Sequence, residues 1–423
     1  MFDEITASEQ AIALENEHGA HNYHPLPVVL TKGKGVFLWD VEGKKYYDFL
    51  SAYSAVNQGH CHPRILKSLQ DQAATLTLTS RAFYNNVLGP YEKYLTDYFG
   101  FDKVLPMNTG VEAVETAIKI ARKWGYERKG ISENEAKIVV ADNNFHGRTT
   151  TVISFSSDDN ARKNFGPFTP GFIGIPYDDL QALESTLLEN PDIAAFLVEP
   201  IQGEAGVFTP AEDYLAKAAA LCQKHHVLFI ADEIQTGIAR TGSLLAVCGN
   251  CSCENHCEKQ ESYIRPDILI LGKALSGGFF PVSAVLADNS VMEVIQPGQH
   301  GSTFGGNPLG AKVAMTALEV IREERLAQNA RKLGHIFRKR MQALVDRSPL
   351  VSAVRGKGLL NAIVINSPSE SSTAWDICLA LRDNGLLAKP THGNIIRFAP
   401  PLVMTEEQLS DCCDIIETTI LGF

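Results

Sequence analysis

Four compact apolar runs punctuate the middle of the chain: AKIVVAD (136–142), AAFLVEP (194–200), VLFIADE (227–233) and DILILGK (267–273). Each is short, rich in β-branched residues and ends on a polar or charged side chain. A strand buried on both faces of a parallel sheet reads this way. Helical patterns stand between the runs. VEAVETAIKIARKW (111–124) sets Val111, Val114, Ile118, Ala121 and Trp124 on one stripe at helical spacing. Strands alternating with helices predict an α/β fold with a mainly parallel sheet. Ligands of such sheets bind beyond the carboxyl ends of the strands, so the residues that end the runs are the first places to look for chemistry.

After about residue 308 the rhythm changes. A long helical stretch over about 309–347 leads to VSAVRGKGLLNAIVI, another helix and NIIRFAPP. Thr405 with Gln408 predicts a capping box opening the last helix. The pattern predicts a large domain over 56–307 and a smaller α+β domain over 308–423. Residues 1–55 contain GVFLWDVEGKKYYDFL, a predicted hairpin turning at Glu42-Gly43, and read as an N-terminal arm.

Composition narrows the function. The chain has 423 residues, 45% hydrophobic and 21% charged, with a net charge of −11. That size and mixture suit a globular protein with a substantial core. The acidic balance argues against nucleic acid, whose phosphates demand a basic surface, and against an anionic membrane surface. No run approaches the ~18–20 apolar residues of a spanning helix. The start, MFDEITASEQ, carries acids and no arginine, unlike a signal or transit peptide. A cytoplasmic protein is expected; a start created by removal of a transit peptide would look the same and keeps the mitochondrial matrix as the alternative.

Four of the nine cysteines crowd into CGNCSCENHC (248–257), together with His256, between the acid-ending and lysine-ending runs. The C-x2-C-x-C-x3-C spacing could hold zinc, but it lacks two separated CxxC pairs. Free thiols or a local disulfide are the favoured reading, and no metal is assigned. Cys61, Cys222, Cys378, Cys412 and Cys413 are scattered, as reduced thiols would be.

Three strand ends carry chemistry. Asp232 closes an apolar run, so it belongs at the edge of a core, where an acid needs a cationic partner; Gln235 follows three residues later. Lys273 closes another run and precedes Ala-Leu-Ser-Gly-Gly, small residues that let something approach. It could be a snorkelling lysine, but a partly desolvated one has a lowered pKa and becomes a nucleophilic amine. VLPMNTGVEAVETA reads as strand, turn and helix start, with the amides of Gly110 and Val111 free to bind an anion. An ordinary cap by Asn108 or Thr109 explains that stretch nearly as well. Together, an anion site, a buried acid and a reactive lysine are what pyridoxal phosphate requires.

FIADEIQTGIARTG, LILGKALSGGFFPVSAVL and HGSTFGGNPLG resemble the signature of the class III, fold-type I pyridoxal-phosphate aminotransferases, most closely the ornithine branch. YHPLPVVL, DFLSAYSAVNQGHCHP, NNFHGRT, VEPIQGEAGV, VRGKGLL and IIRFAPPLV extend the resemblance over nearly the whole chain. It implies a fold-type I large domain with a small C-terminal domain, and an obligate homodimer with shared sites. It also implies transfer of the δ-amino group of ornithine to 2-oxoglutarate. Residue by residue, Lys273 matches the lysine that carries the cofactor, Asp232 the partner of the ring nitrogen and Gln235 the neighbour of the ring hydroxyl. Phe145 matches the aromatic that stacks on the ring. Gly110 and Val111 match the phosphate turn, with Ser302 and Thr303 supplied by the neighbouring subunit. Arg148 matches the grip on the α-carboxylate of ornithine, and Tyr23 and Tyr53 match aromatics of the substrate pocket. Arg397 matches the keto-acid arginine, and Glu204 the acid that neutralises it. The resemblance leaves an acetylornithine or 4-aminobutyrate aminotransferase as the alternative. His146 departs from the tryptophan found in many members of the ornithine branch and is read as a residue without a role in proton transfer.

Overall fold

The computed structural model describes residues 7–248 and 264–423. Beyond Cys248, the cysteine cluster therefore lies outside the described residues, and the zinc, disulfide and free-thiol readings of it with it.

Seven strands form the central sheet in the order Lys103–Met107, Ser283–Ala287, Ile268–Leu271, Leu228–Asp232, Ile193–Val198, Lys137–Ala141, Phe172–Ile175. The last five run parallel to one another, and Ser283–Ala287 is antiparallel to both of its neighbours. The four apolar runs are thus strands of one mainly parallel sheet, as their composition predicts. Every residue of 193–198, 228–232 and 268–271 is buried, which is why these runs show no alternation. Alternate side chains enter two cores. Ile230, Ile268 and Ile270 meet Val114, Ile118 and Ile120 of the helix Gly110–Trp124. Phe229, Ala231 and Leu269 face the opposite core with Leu275 and Ala317.

The helix Gly110–Trp124 begins three residues after a strand and is capped reciprocally. The Thr109 hydroxyl accepts from the Glu112 amide at 3.4 Å, and the Glu112 carboxylate accepts from the Thr109 amide at 2.7 Å. This box holds the helix start at the end of the sheet.

Two smaller sheets flank this layer. One is antiparallel, in the order 351–357, 360–365, 395–398, 389–391. The other joins the strands 30–34, 37–40 and 45–48 to Leu386–Leu387, which pairs in parallel with 45–48. The predicted hairpin is present, with Gly43 at φ +87° in its turn. The capping box at Thr405 and Gln408 opens the helix Glu406–Leu421.

The single helical stretch expected over about 309–347 is instead two helices, Pro308–Glu323 and Leu326–Arg347. Arg325, at φ +53°, turns the chain between them. Acids at a helix C-terminus oppose its dipole. Here Glu323 and Glu324 turn instead to Arg64, at 2.6 Å, and His62, at 2.9 Å.

Candidate active site

A cavity of about 230 Å³ opens at the carboxyl ends of the central strands, lined by Gly110, Val111, Phe145, Asp232, Gln235 and Lys273 among others. Asp232 ends its strand with only 4% of its side chain exposed. Its Oδ1 accepts from the Ile234 amide at 3.0 Å, and its Oδ2 meets Nδ1 of His146 at 2.6 Å. Lys273 follows its strand through Gly272 and takes φ +42°, a left-handed backbone that non-glycine residues rarely adopt. Burial lowers its pKa, and Arg397 pushes the same way against Asp232, Glu204 and Glu199. A lysine so placed gives up its proton more readily than an exposed one, which favours the nucleophilic amine.

Gln235 has a buried Oε1 with no hydrogen-bond partner. It leans against the backbone of Gly203, where any side chain would collide with it. Gly147, at φ +126°, lies so close to Val111 that a larger residue would clash. The Gly147–Val111 approach holds the 145–148 segment against the capped helix start.

A second cavity, of about 570 Å³, shares Phe145, His146, Gly147 and Glu204 with the first and leads outward. Arg397 sits in a fully buried strand, and its guanidinium donates to Glu204 at 2.8 Å. Burial pushes the Glu204 carboxyl up, but Arg397 outweighs it and holds it below its ordinary value. The guanidinium also lies 4.9 Å from the ring centre of Tyr53. Four successive left-handed residues, Ser51 to Ser54, deliver that tyrosine. Arg148 stands at the mouth, 59% exposed, 5.4 Å from the Phe145 ring and 3.9 Å from Asp158. Tyr23, 70% exposed, completes the rim.

Ser302 and Thr303 line neither cavity. Ser302 instead accepts from the side-chain amide of Asn108 at 2.7 Å, which tethers its loop beside the helix start, and Thr303 is exposed. The sequence pattern leaves one buried acid at a strand end unassigned. Glu199 ends the strand 193–198, just as Asp232 ends its own, and the same strand-end rule would have found it. His146, to which the sequence assigns no role in proton transfer, is buried against Asp232. Lys389 and His392 also line the outer cavity, Lys389 directly across the strand pair from Arg397. A larger concavity, of about 870 Å³ beside Trp124 and Asp267, holds none of the predicted residues, so size alone does not locate the chemistry.

The inner cavity fits the cofactor expected from the sequence. It offers a buried amine, a buried carboxylate, an unpartnered amide oxygen and a helix start with free amides. A flat, phosphorylated, cationic heteroaromatic aldehyde satisfies each of them.

The model of the family "Aminotransferase class-III" matches residues 18–420. "Ornithine aminotransferase, mitochondrial" of Drosophila melanogaster is 61% identical over 415 residues, which cover 98% of this chain and 92% of that protein. A crystal structure of acetylornithine aminotransferase from Elizabethkingia anophelis is 62% identical, covers 98% of this chain and 99% of that one, and superposes with a TM-score of 0.88. The ornithine aminotransferase of Toxoplasma gondii, solved with partial occupancy of pyridoxal phosphate, is 47% identical, covers 99% and 95%, and has a TM-score of 0.93. With a family match across nearly its whole length and relatives this similar, the chain belongs to the class III aminotransferases.

Proposed function

We propose that the protein is an ornithine δ-aminotransferase, moving the δ-amino group of L-ornithine to 2-oxoglutarate to give glutamate-5-semialdehyde, which cyclises to pyrroline-5-carboxylate, and glutamate. The observation that carries this reading is the Arg397–Glu204 ion pair, 2.8 Å long, at the junction of the two cavities. Two substrates with opposite demands share one site. Ornithine presents a bare amine there, and a paired Arg397 leaves no stray cation to oppose it. 2-Oxoglutarate presents a carboxylate, which displaces Glu204 from the guanidinium fork.

Pyridoxal phosphate, when bound, supplies the electron sink that lets a proton leave the carbon bearing the amine. Lys273 would hold the cofactor and, once displaced by the substrate amine, would take that proton on Nζ and deliver it to a different carbon. Asp232 would pair with the ring nitrogen, Gln235 would bond the ring hydroxyl and Phe145 would stack on the ring. The Gly110 and Val111 amides would hold the phosphate, and Ser302 and Thr303 of a neighbouring subunit would join them. Arg148 grips the distant carboxylate of either substrate, and Tyr23 and Tyr53 line the channel. A screen of amine donors against the loaded enzyme tests this: ornithine should bleach the yellow cofactor fastest.

The 62% identity to the Elizabethkingia protein favours one second reading, an acetylornithine aminotransferase. A faster half-reaction with N-acetylornithine than with ornithine would establish it. A homodimer is proposed because Phe83, Tyr84 and Phe304 are exposed. Leu88 and Arg81 lie against Gly306, which brings the two aromatic segments together. Sedimentation should give the mass of two chains. The proposed division is an arm over 1–55, a large domain over 56–307 and a small one over 308–423. No described helix is long and apolar enough to cross a membrane. The proposed compartment is the cytoplasm, with the matrix as the alternative; cell fractionation distinguishes them.

A further inference from the structure

Lys389 opens the edge strand 389–391, directly opposite Arg397 in the antiparallel register. Opposed residues of such a pair share a face, so the two cations stand side by side on one wall of the outer cavity. Thr391, two residues on and on the same face, donates its hydroxyl to the backbone carbonyl of Glu204 at 3.0 Å. The strand that carries Lys389 therefore also holds the segment that carries Glu204. The Glu204 carboxylate bonds the Arg397 guanidinium. The Lys389 ammonium lies 5.9 Å from the ring centre of Tyr23 and has no ion-pair partner among the described residues. It is half-buried. Burial lowers its pKa, Glu204 pulls the other way and Arg397 adds to the burial. The wall thus holds two cations and one anion, and one ammonium is spare while Glu204 sits on Arg397. Lys389 lines the outer cavity only, so it stays clear of Lys273 and of an amine reacting there.

We propose that Lys389 is a positioning residue for the keto-acid half of the reaction: it receives the Glu204 carboxylate when a dicarboxylate claims Arg397, and so sets the affinity for that substrate. The inference rests on the reading of Arg397 and Glu204 as the pair that opens between substrates. A displaced carboxylate left free beside an incoming anion opposes it by like-charge repulsion. Moved to Lys389, Glu204 removes that repulsion, and every charge on the wall then has a partner. The side chain has little distance to cover, because Thr391 fixes its backbone to the strand that presents the ammonium. His392 also draws on the Glu204 charge, but it is exposed past the end of the strand and lacks the register that sets Lys389 beside Arg397.

Glutarate tests this without turnover, since it carries both carboxylates of 2-oxoglutarate and no keto group; its binding to the loaded enzyme is read by calorimetry. Lys389→Met, checked for a wild-type melting curve, should raise the dissociation constant of glutarate roughly tenfold, and Lys389→Arg should recover most of the loss. The KM for 2-oxoglutarate should follow, while the ornithine half-reaction changes much less. In Glu204→Gln protein the same Lys389→Met change should cost about twofold or less, because no carboxylate is left to receive. An unchanged glutarate constant in Lys389→Met overturns the proposal. So does an undiminished loss in Glu204→Gln protein, which would put the ammonium on the ligand itself. Should Lys389→Met fold poorly, a crystal structure of the wild type with glutarate decides. Glu204 on Lys389 supports the proposal; Glu204 still on Arg397, on His392 or turned to solvent sinks it. The underlying reading fails by a different result: Glu204→Gln that leaves both half-reactions as in the wild type removes the exchange pair, and this inference with it.

Discussion

Lys273, Glu204 and Glu199 show how burial and pairing set the character of single residues. Lys273 combines a lowered pKa with a left-handed backbone inside the inner cavity. Lys273→Ala should abolish transfer and leave the protein without a lysine-linked chromophore, readable as loss of the band near the wild-type maximum. Glu204 is the counter-charge of Arg397. Glu204→Gln should lower the KM for 2-oxoglutarate several-fold and slow the ornithine half-reaction, when the two halves are measured separately. Burial lifts the Glu199 carboxyl from its ordinary 4.5 to about 7. The folded state then holds this proton more tightly than the unfolded chain. Its stabilising contribution is full below about 4.5 and is lost as pH rises through 7, by roughly 3 kcal/mol. Glu199→Gln has no such titration, so in stripped protein its melting temperature should gain on the wild type between about pH 5 and pH 8.

At the scale of elements, the helix Gly110–Trp124 matters most to the site. Its first turn offers free amides only while the capping box defines where the helix starts. Thr109→Ala should cost about 1 kcal/mol in urea denaturation and weaken binding of inorganic phosphate to the stripped enzyme. The strands that bring Asp232 and Lys273 to this helix were legible because both faces are buried and the apolar runs are unbroken. The break at Arg325 was not legible, because residues 309–347 keep a helical pattern across it. The turn there is held by Arg64 and His62, more than 250 residues away in the chain.

For the whole molecule, Arg240 acts as a tie. It is fully buried, and its guanidinium bonds Asn57 and the carbonyls of Leu359 and Pro400, joining three distant segments. No carboxylate touches it among the described residues, and burial lowers its pKa to about 9. Arg240→Ala would strand these acceptors and should destabilise the protein by about 3–5 kcal/mol in chemical denaturation. Arg240→Lys should recover little, since an ammonium cannot span three segments.

The sequence by itself determined the alternation of strand and helix, the residues that end the strands and the caps that start the helices. These follow from local periodicity and from the cost of burying a polar group. Thus Asp232, Lys273 and Gly110 could be picked out one at a time. Only the tertiary structure decided what each one faces. The strand 193–198 lies beside 228–232, and that adjacency puts Glu199 and His146 behind Asp232. The strand 395–398 brings Arg397 to Glu204 across 193 positions of chain. Leu386–Leu387 pairs with a strand near the N-terminus for the same kind of reason. Such pairings depend on sheet order and strand register, which many local patterns share, so the partners of a buried charge are fixed only when the whole chain packs.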